Sequence, residues 1–198
     1  LDRRQDIDRW ILSDIQLVIE AARKGFEAYD LPPVCQRIER FLDDLSNWYI
    51  RRNRRRFWRG AGEGGPAGDH DKLAAYQTLY EALLTLTKLM APIVPVVAEN
   101  MYGNLAGRRI PGAPESVHLA DYPTPNPAMV DTALSERMAA LLRGVTLSRS
   151  ARAASKLKIR QPLAELLIRP ADAVEQAAVE QFADHLAEEL NIKKVTVR

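Results

Sequence analysis

The sequence predicts a mainly α-helical protein: an up-and-down helical bundle followed by a small C-terminal α/β unit of β-α-β type. Three observations predict it. Apolar residues recur at helical spacing in five successive stretches, and glycine and proline clusters separate those stretches. Beyond residue 163 the pattern changes to two short strand-like runs flanking one helical segment. A chain of 198 residues, 46% hydrophobic and 27% charged, has the composition of a globular protein and the length of one domain with a small appendage.

The first helix is expected over Leu1 to about Lys24, where Ile7, Ile11, Ile15, Val18 and Ala22 share a face and Gly25 stops or loosens the run. Asp30 reads as the N-cap of a second helix, with two prolines tolerable only in a first turn. Its periodic residues, Ile38, Phe41, Leu42, Leu45, Trp48 and Tyr49, carry it into a run of arginines. Residues 60–68 hold five glycines and Pro66, so a mobile loop is expected there. A third helix starts near Asp69 on Leu73, Tyr76, Leu79, Tyr80, Leu83, Leu86 and Met90, and Pro92 breaks it. The fourth spans Val94 to about Leu105, apolar on Val97, Met101 and Leu105. Short connections favour antiparallel neighbours, hence the bundle.

Residues 107–127 contain five prolines and form a crossover, with an extended piece expected at Val117, His118 and Leu119. A fifth helix follows, Met129 to about Ala154, on Val130, Leu134, Met138, Leu141 and Val145. Ala164 to Arg169 and Lys193 to Arg198 read as strands around a helix over Ala171 to Leu190. This places a bundle domain at 1–155 and an α/β unit at 156–198. Because the chain opens on Leu1 within a charged pattern and its last strand ends with it, an excised piece of a longer protein is expected.

Composition narrows the chemistry. One cysteine, Cys35, excludes a disulfide framework, and three histidines leave too few soft ligands for a zinc cluster. Cys35 reads as a buried small apolar residue; His70, His118 and His185 read as solvated. No apolar run reaches the length of a membrane span and the N-terminus lacks a signal-peptide core, so no membrane partner and a cytoplasmic setting are expected. No phosphate-binding loop, metal-ligand pair or nucleophile motif appears in the sequence, and no catalysis by this chain alone is expected.

Net charge is only +2, but its distribution is uneven. Arg51 to Arg59 holds six arginines and no acid, and Arg143 to Arg160 holds six more basic residues without a carboxylate. On a helix Arg52, Arg56 and Arg59 share a face, with Arg51 and Arg55 alongside. Guanidinium forks fit phosphate oxygens, and Trp48, Tyr49, Phe57 and Trp58 are available for stacking on bases. The plainer alternative is a solvated face at a helix C-terminus with the aromatics in the core. An ordinary solvated face mixes signs; this one does not. A second stripe, Arg149, Arg152 and Lys156, lies on the fifth helix, and the two stripes are expected to form one cradle for nucleic acid.

Six segments carry a family resemblance: DRWILS at 8–13, RFLDDLSNWYIRRNRRRFW at 40–58, MAPIVPVVAE at 90–99, SVHLADYP at 116–123, KIRQPL at 158–163 and LNIKKV at 190–195. In this order they resemble the isoleucyl-tRNA synthetase family over nearly the whole chain. Valyl and leucyl enzymes share the bundle and the Ala-Pro-x-x-Pro helix start, but the SNWYIRRNRRR block is closer to the isoleucine enzyme. The resemblance implies the anticodon-binding helical bundle of class I aminoacyl-tRNA synthetases plus a truncated junction domain. That family attaches isoleucine to its tRNA with ATP and Mg²⁺, in a domain with His-Ile-Gly-His and Lys-Met-Ser-Lys-Ser signatures. Neither signature is in this chain, so adenylation, transfer, editing and cofactor binding are expected to lie outside it.

The implied partners are the anticodon stem-loop of tRNA(Ile) and the catalytic domain of the same parent chain. Arg51, Arg52, Arg55 and Arg56 are expected on stem phosphates, with Trp48 and Asn53 near splayed bases and Arg149, Arg152 and Lys156 as the second contact. Asn47 and Gln36 are further candidates for reading base edges. The alternatives are the equivalent module of a valyl or leucyl enzyme, or a helical protein-interaction domain that uses the arginines for acidic partners.

Overall fold

The computed structural model describes residues 4–60 and 62–198. Two compact units divide it, Leu1–Asp131 and Thr132–Arg198. The first is a helical bundle of α1 (Asp6–Glu27), α2 (Leu31–Asp43), α3 (Arg54–Trp58), α4 (Gly65–Met90) and α5 (Pro95–Leu105), with a π-helical segment, Asp44–Ile50, between α2 and α3. The second contains α6 (Thr132–Ala154), β1 (Leu166–Ile168), α7 (Ala173–Gln181), α8 (Ala183–Leu190) and β2 (Val195–Val197).

The central element of the first unit is α1. Ile11, Ile15, Val18, Ile19 and Ala22 are buried along it, and it packs against α2, the π segment and α4. At its start the Gln5 amide donates to Asp8 Oδ2 (3.0 Å), satisfying a donor that the first turn leaves without an intrahelical acceptor. Gly25 does not stop this helix, which continues to Glu27. Its missing side chain serves packing instead: a Cβ there would lie 2.2 Å from Val34 Cγ2 and 3.0 Å from the Asp30 carbonyl.

The expected second helix is three pieces. After α2 the hydrogen bonding loosens to the i→i+5 pattern over Asp44–Ile50, and Asn53 (ψ 7°) breaks the rod before α3. The extra residue per turn lets adjacent Trp48 and Tyr49 both bury. The glycine-rich stretch is shorter than expected, because α4 begins at Gly65, Pro66 occupies its first turn and Gly68 is inside it. The Glu63 carboxylate accepts from the Gly60 amide (2.9 Å) and Asp69 from the Gly62 amide (3.1 Å). Ala61 of that expected loop, like residues 1–3 of the expected first helix, lies outside the described residues.

Two faces differ from the periodicity. Helix α4 buries Ala74, Ala75, Thr78, Ala82, Leu86 and Leu89, while Leu73, Tyr76 and Tyr80 are exposed. Small residues let α1 approach closely, and the larger ones are displaced to the rim. Helix α5 buries Ala98 and Tyr102 with Ala91, Ala106 and Val117, leaving Val97 exposed. The expected extended piece at Val117–Leu119 is a 3-10 turn, held where Glu99 accepts from the Ser116 hydroxyl (2.9 Å) and the Val117 amide (3.0 Å).

In the second unit β1 and β2 run parallel, with Leu166 opposite Val195 and Ile168 opposite Val197. The helix between them is interrupted at Phe182, whose side chain is buried, so it forms α7 and α8. Asp172 caps α7 by accepting from the Glu175 amide (2.8 Å). Leu134, Met138, Leu141 and Val145 of α6 are buried, and α6 packs on α7 and α8. The second compact unit, Thr132–Arg198, therefore includes α6. Among the described residues no helix is long and apolar enough to cross a membrane.

The Gly25 contact is testable by a double-mutant cycle. Gly25→Ala alone should lower the thermal midpoint, since overpacking costs about 1–3 kcal/mol and outweighs a helix-propensity gain of about 1 kcal/mol. In a Val34→Ala background, where Cγ2 is gone, the same substitution should destabilise less, the Asp30 carbonyl being the tight contact that remains.

Candidate nucleic-acid interface

The arginine run divides into an inward and an outward set. Asp8 of α1 is fully buried, and Arg56 of α3 is 6% exposed. Their side chains form a bidentate pair, Arg56 Nη1 to Asp8 Oδ1 at 2.9 Å and Nη2 to Oδ2 at 2.8 Å. Tyr49 donates its hydroxyl to Asp8 Oδ1 (2.7 Å). Arg56 also donates to Asn53 Oδ1 (2.8 Å), and it pairs with Asp71 of α4 (2.9 Å). Burial and then the Asp8 charge hold the Tyr49 phenol well above its ordinary pKa. Burial disfavours the Arg56 charge, but Asp8 and Asp71 outweigh it and raise the guanidinium pKa. Asn53 is 2% exposed and donates to the Tyr49 carbonyl (2.9 Å). Arg59 reaches the Gly68 carbonyl (3.2 Å) and Asp71 (3.4 Å).

This corrects three expectations. Arg56 is a core ion-pair partner instead of a phosphate clamp, because its charge is already matched by two carboxylates. Asn53 is occupied by main chain and by Arg56, which leaves no polar edge for a base. Trp48 is 4% exposed and serves as a wall for Arg52, whose guanidinium carbon lies 5.6 Å from its ring centroid.

The outward set comprises Arg51, Arg54, Arg55 and Trp58, all exposed, with Arg52 half-buried. Arg51 Nε donates to the Asn47 carbonyl (3.0 Å), which directs its chain along the helix. The Arg54 guanidinium sits 5.7 Å from the Trp58 ring centroid, and Trp58 is 78% exposed. Of the four aromatics available for stacking, Trp58 is the exposed one; sequence reasoning missed Arg54, which stands four residues before it on α3. Asn47 and Gln36 are exposed on the π segment and α2, and Asn47 donates weakly to Asp43 (3.4 Å).

The second stripe belongs to the other unit. Arg149 pairs with Glu189 of α8. Arg152 is 6% exposed and donates to the Gln161 carbonyl (2.6 Å), tying the end of α6 to the loop before β1. Lys156 is exposed, with φ +55°. Of the three, then, Arg149 and Lys156 are exposed, Arg149 with a carboxylate beside it, and Arg152 is buried. Among the described residues no group of three or more His, Cys, Asp and Glu is placed to hold a metal ion.

The family model for the anticodon-binding domain of tRNA ligases matches residues 8–168. The chain belongs to that family. The match starts at the buried Asp8, includes the whole arginine run and α6, and ends on β1. The chain is also similar to the isoleucine–tRNA ligases of Thermus thermophilus (44% identical over 197 residues, 99% of this chain and 18% of the relative) and Thermobifida fusca (46% over 186 residues, 94% and 16%). That of Dehalococcoides mccartyi is 43% identical over 192 residues, 97% of this chain and 18% of the relative. The chain therefore spans less than a fifth of the length of these relatives. The matched span holds both the outward and the inward arginines.

Unfolding measurements separate the two sets. Arg56→Ala should cost about 3–5 kcal/mol, because it strands Asp8 as an unpaired buried charge, whereas Arg55→Ala should stay within about 0.5 kcal/mol. Equal losses in urea titrations would show that the pair is not special. A second test is pH. Burial, followed by the Asp14 charge, pushes the Asp44 carboxyl up to about 6. The native state therefore holds a proton that the unfolded chain, with a pKa near 4, releases. This contribution is fully present below about pH 4 and is lost as pH rises through about 6. Asp44→Asn should raise the thermal midpoint at neutral pH and leave it nearly unchanged at about pH 4.

Proposed function

We propose that this chain is the part of an isoleucine–tRNA ligase that holds the anticodon stem-loop of tRNA(Ile). The observation that carries this reading is the outward face at residues 51–58, cationic and aromatic, in a chain of the anticodon-binding family. Arg51, Arg52 and Arg55 take stem phosphates and fix the register, and lysine or arginine contacts of this kind are read from charge rather than sequence. Lys156 adds a cation in the second unit. The relatives' names support the isoleucine assignment. Adenylation and transfer, with ATP and Mg²⁺, belong to the larger ligase and its catalytic domain, in the cytoplasm, and this chain supplies position and affinity without chemistry.

The test is binding of tRNA(Ile) as a function of salt. Three phosphates neutralised by Arg51, Arg52 and Arg55 give a log–log slope of about −2 to −3. Substituting Arg51 and Arg55 together by alanine should weaken every tRNA alike and flatten the slope by about 1–2. A flat salt response in the unsubstituted chain would remove the phosphate contacts. Heparin competing as well as tRNA(Ile), tRNA(Val) and tRNA(Met) would leave a charge-only surface, and a preference for tRNA(Val) would assign the module to the valine enzyme.

A further inference from the structure

We propose that Trp58 is a stacking platform for one unpaired nucleobase of the bound hairpin loop, an assignment that rests on the reading above. Four aromatic residues flank or lie within the arginine run, and the bundle takes three of them: Trp48 is 4% exposed, Tyr49 fully buried and Phe57 9% exposed. Trp58 is 78% exposed, at the end of the same short helix. An indole in that position leaves a large apolar surface in water without contributing to the core. The Arg54 guanidinium lies over its ring at 5.7 Å from the centroid, which orients the ring and puts a positive charge beside it.

The surroundings select the ligand. Arg54 sets a positive charge against the indole, and residues 51–59 contain no carboxylate. An apolar protein segment gains nothing from that charge. A nucleotide brings both a planar π-face for the indole and a phosphate for the guanidinium groups. Paired bases within a stem are covered by their neighbours, so the platform takes a base from the loop. Stacking tolerates any base, so Trp58 favours an open loop over a closed duplex and does not read base identity.

Tryptophan emission tests this directly, because Trp10 and Trp48 are each 4% exposed and only Trp58 of the three tryptophans is open to a soluble quencher. In the free chain acrylamide should quench the emission that Trp58→Phe removes. Titrating an isoleucine anticodon hairpin should quench that same component and shield it from acrylamide, and a blunt duplex of equal charge should do neither. Trp58→Ala should weaken hairpin binding between about 5- and 150-fold, Trp58→Phe less, with both variants keeping the thermal midpoint and the salt slope.

Hairpin binding with a normal salt slope but with Trp58 emission unmoved, or with Trp58→Ala binding unchanged, would overturn the stack and leave the phosphate contacts standing. Equal quenching by duplex would also overturn it. Shielding of Trp58 in the free chain that disappears on dilution would assign the indole to self-association. Absence of hairpin binding at every salt concentration would remove the underlying reading, and the stack with it.

Discussion

The bidentate pair between Asp8 and Arg56 is the constraint on which the arrangement of the first unit depends. A buried carboxylate and a buried guanidinium each carry a desolvation cost of several kcal/mol, so neither can stay inside without the other. Their meeting fixes the start of α1 against α3, and Asp71 brings α4 to the same point. Tyr49 donates to Asp8 and Asn53 accepts from Arg56, while the buried Arg56 Nε makes no hydrogen bond. With both Asp8 oxygens engaged the network has few alternative arrangements, and register follows from geometry more than from the apolar contacts around it.

That network explains why one arginine-rich stretch can do two different things. The π segment lets both Trp48 and Tyr49 turn inward, and the break at Asn53 starts α3 with a new phase. Arg56 and Phe57 then point to the interior, while Arg54, Arg55 and Trp58 are left outside. An unbroken helix through residues 34–59 would put Arg52, Arg56 and Arg59 on one face. The structure instead matches Arg56 and Arg59 to Asp71 and keeps the exposed cations on the other side of α3.

The helical order of the chain was legible because its breaks are chemical. Pro92, the prolines of the crossover and the change of pattern near Leu163 each mark a boundary that the structure keeps within a few residues. Faces were less legible. Periodicity ranks residues by hydrophobicity, yet α4 buries Ala74, Ala75 and Ala82 and exposes Leu73 and Tyr76, because close helix approach is decided by size. A glycine near a helix end does not reveal from sequence that its missing side chain makes room for Val34. The candidate site was legible as a charged region but not residue by residue. Nothing local tells Arg55 from Arg56, since the difference lies in Asp8, 48 positions away.

The inward set also bears on how the outward set can work. Long arginine side chains on a mobile loop lose conformational freedom when they dock, and that loss is subtracted from the contact they make. Here the helix presenting Arg54, Arg55 and Trp58 is five residues long, too short to hold itself in water. It is held from beneath. Arg56 fixes its middle to α1 and α4, Arg59 fixes the turn after it to Gly68 and Asp71, and Phe57 packs edge-on against Tyr49 and Tyr76. A substitution inside this tie therefore reaches the exposed face through backbone position, and in the proposed function Arg56 is a positioning residue that does not touch the ligand. Affinity lost on replacing Arg56 should then follow the loss of helical order in α3. Affinity lost on replacing Trp58 should come with α3 intact, and that difference separates a residue that positions from one that contacts.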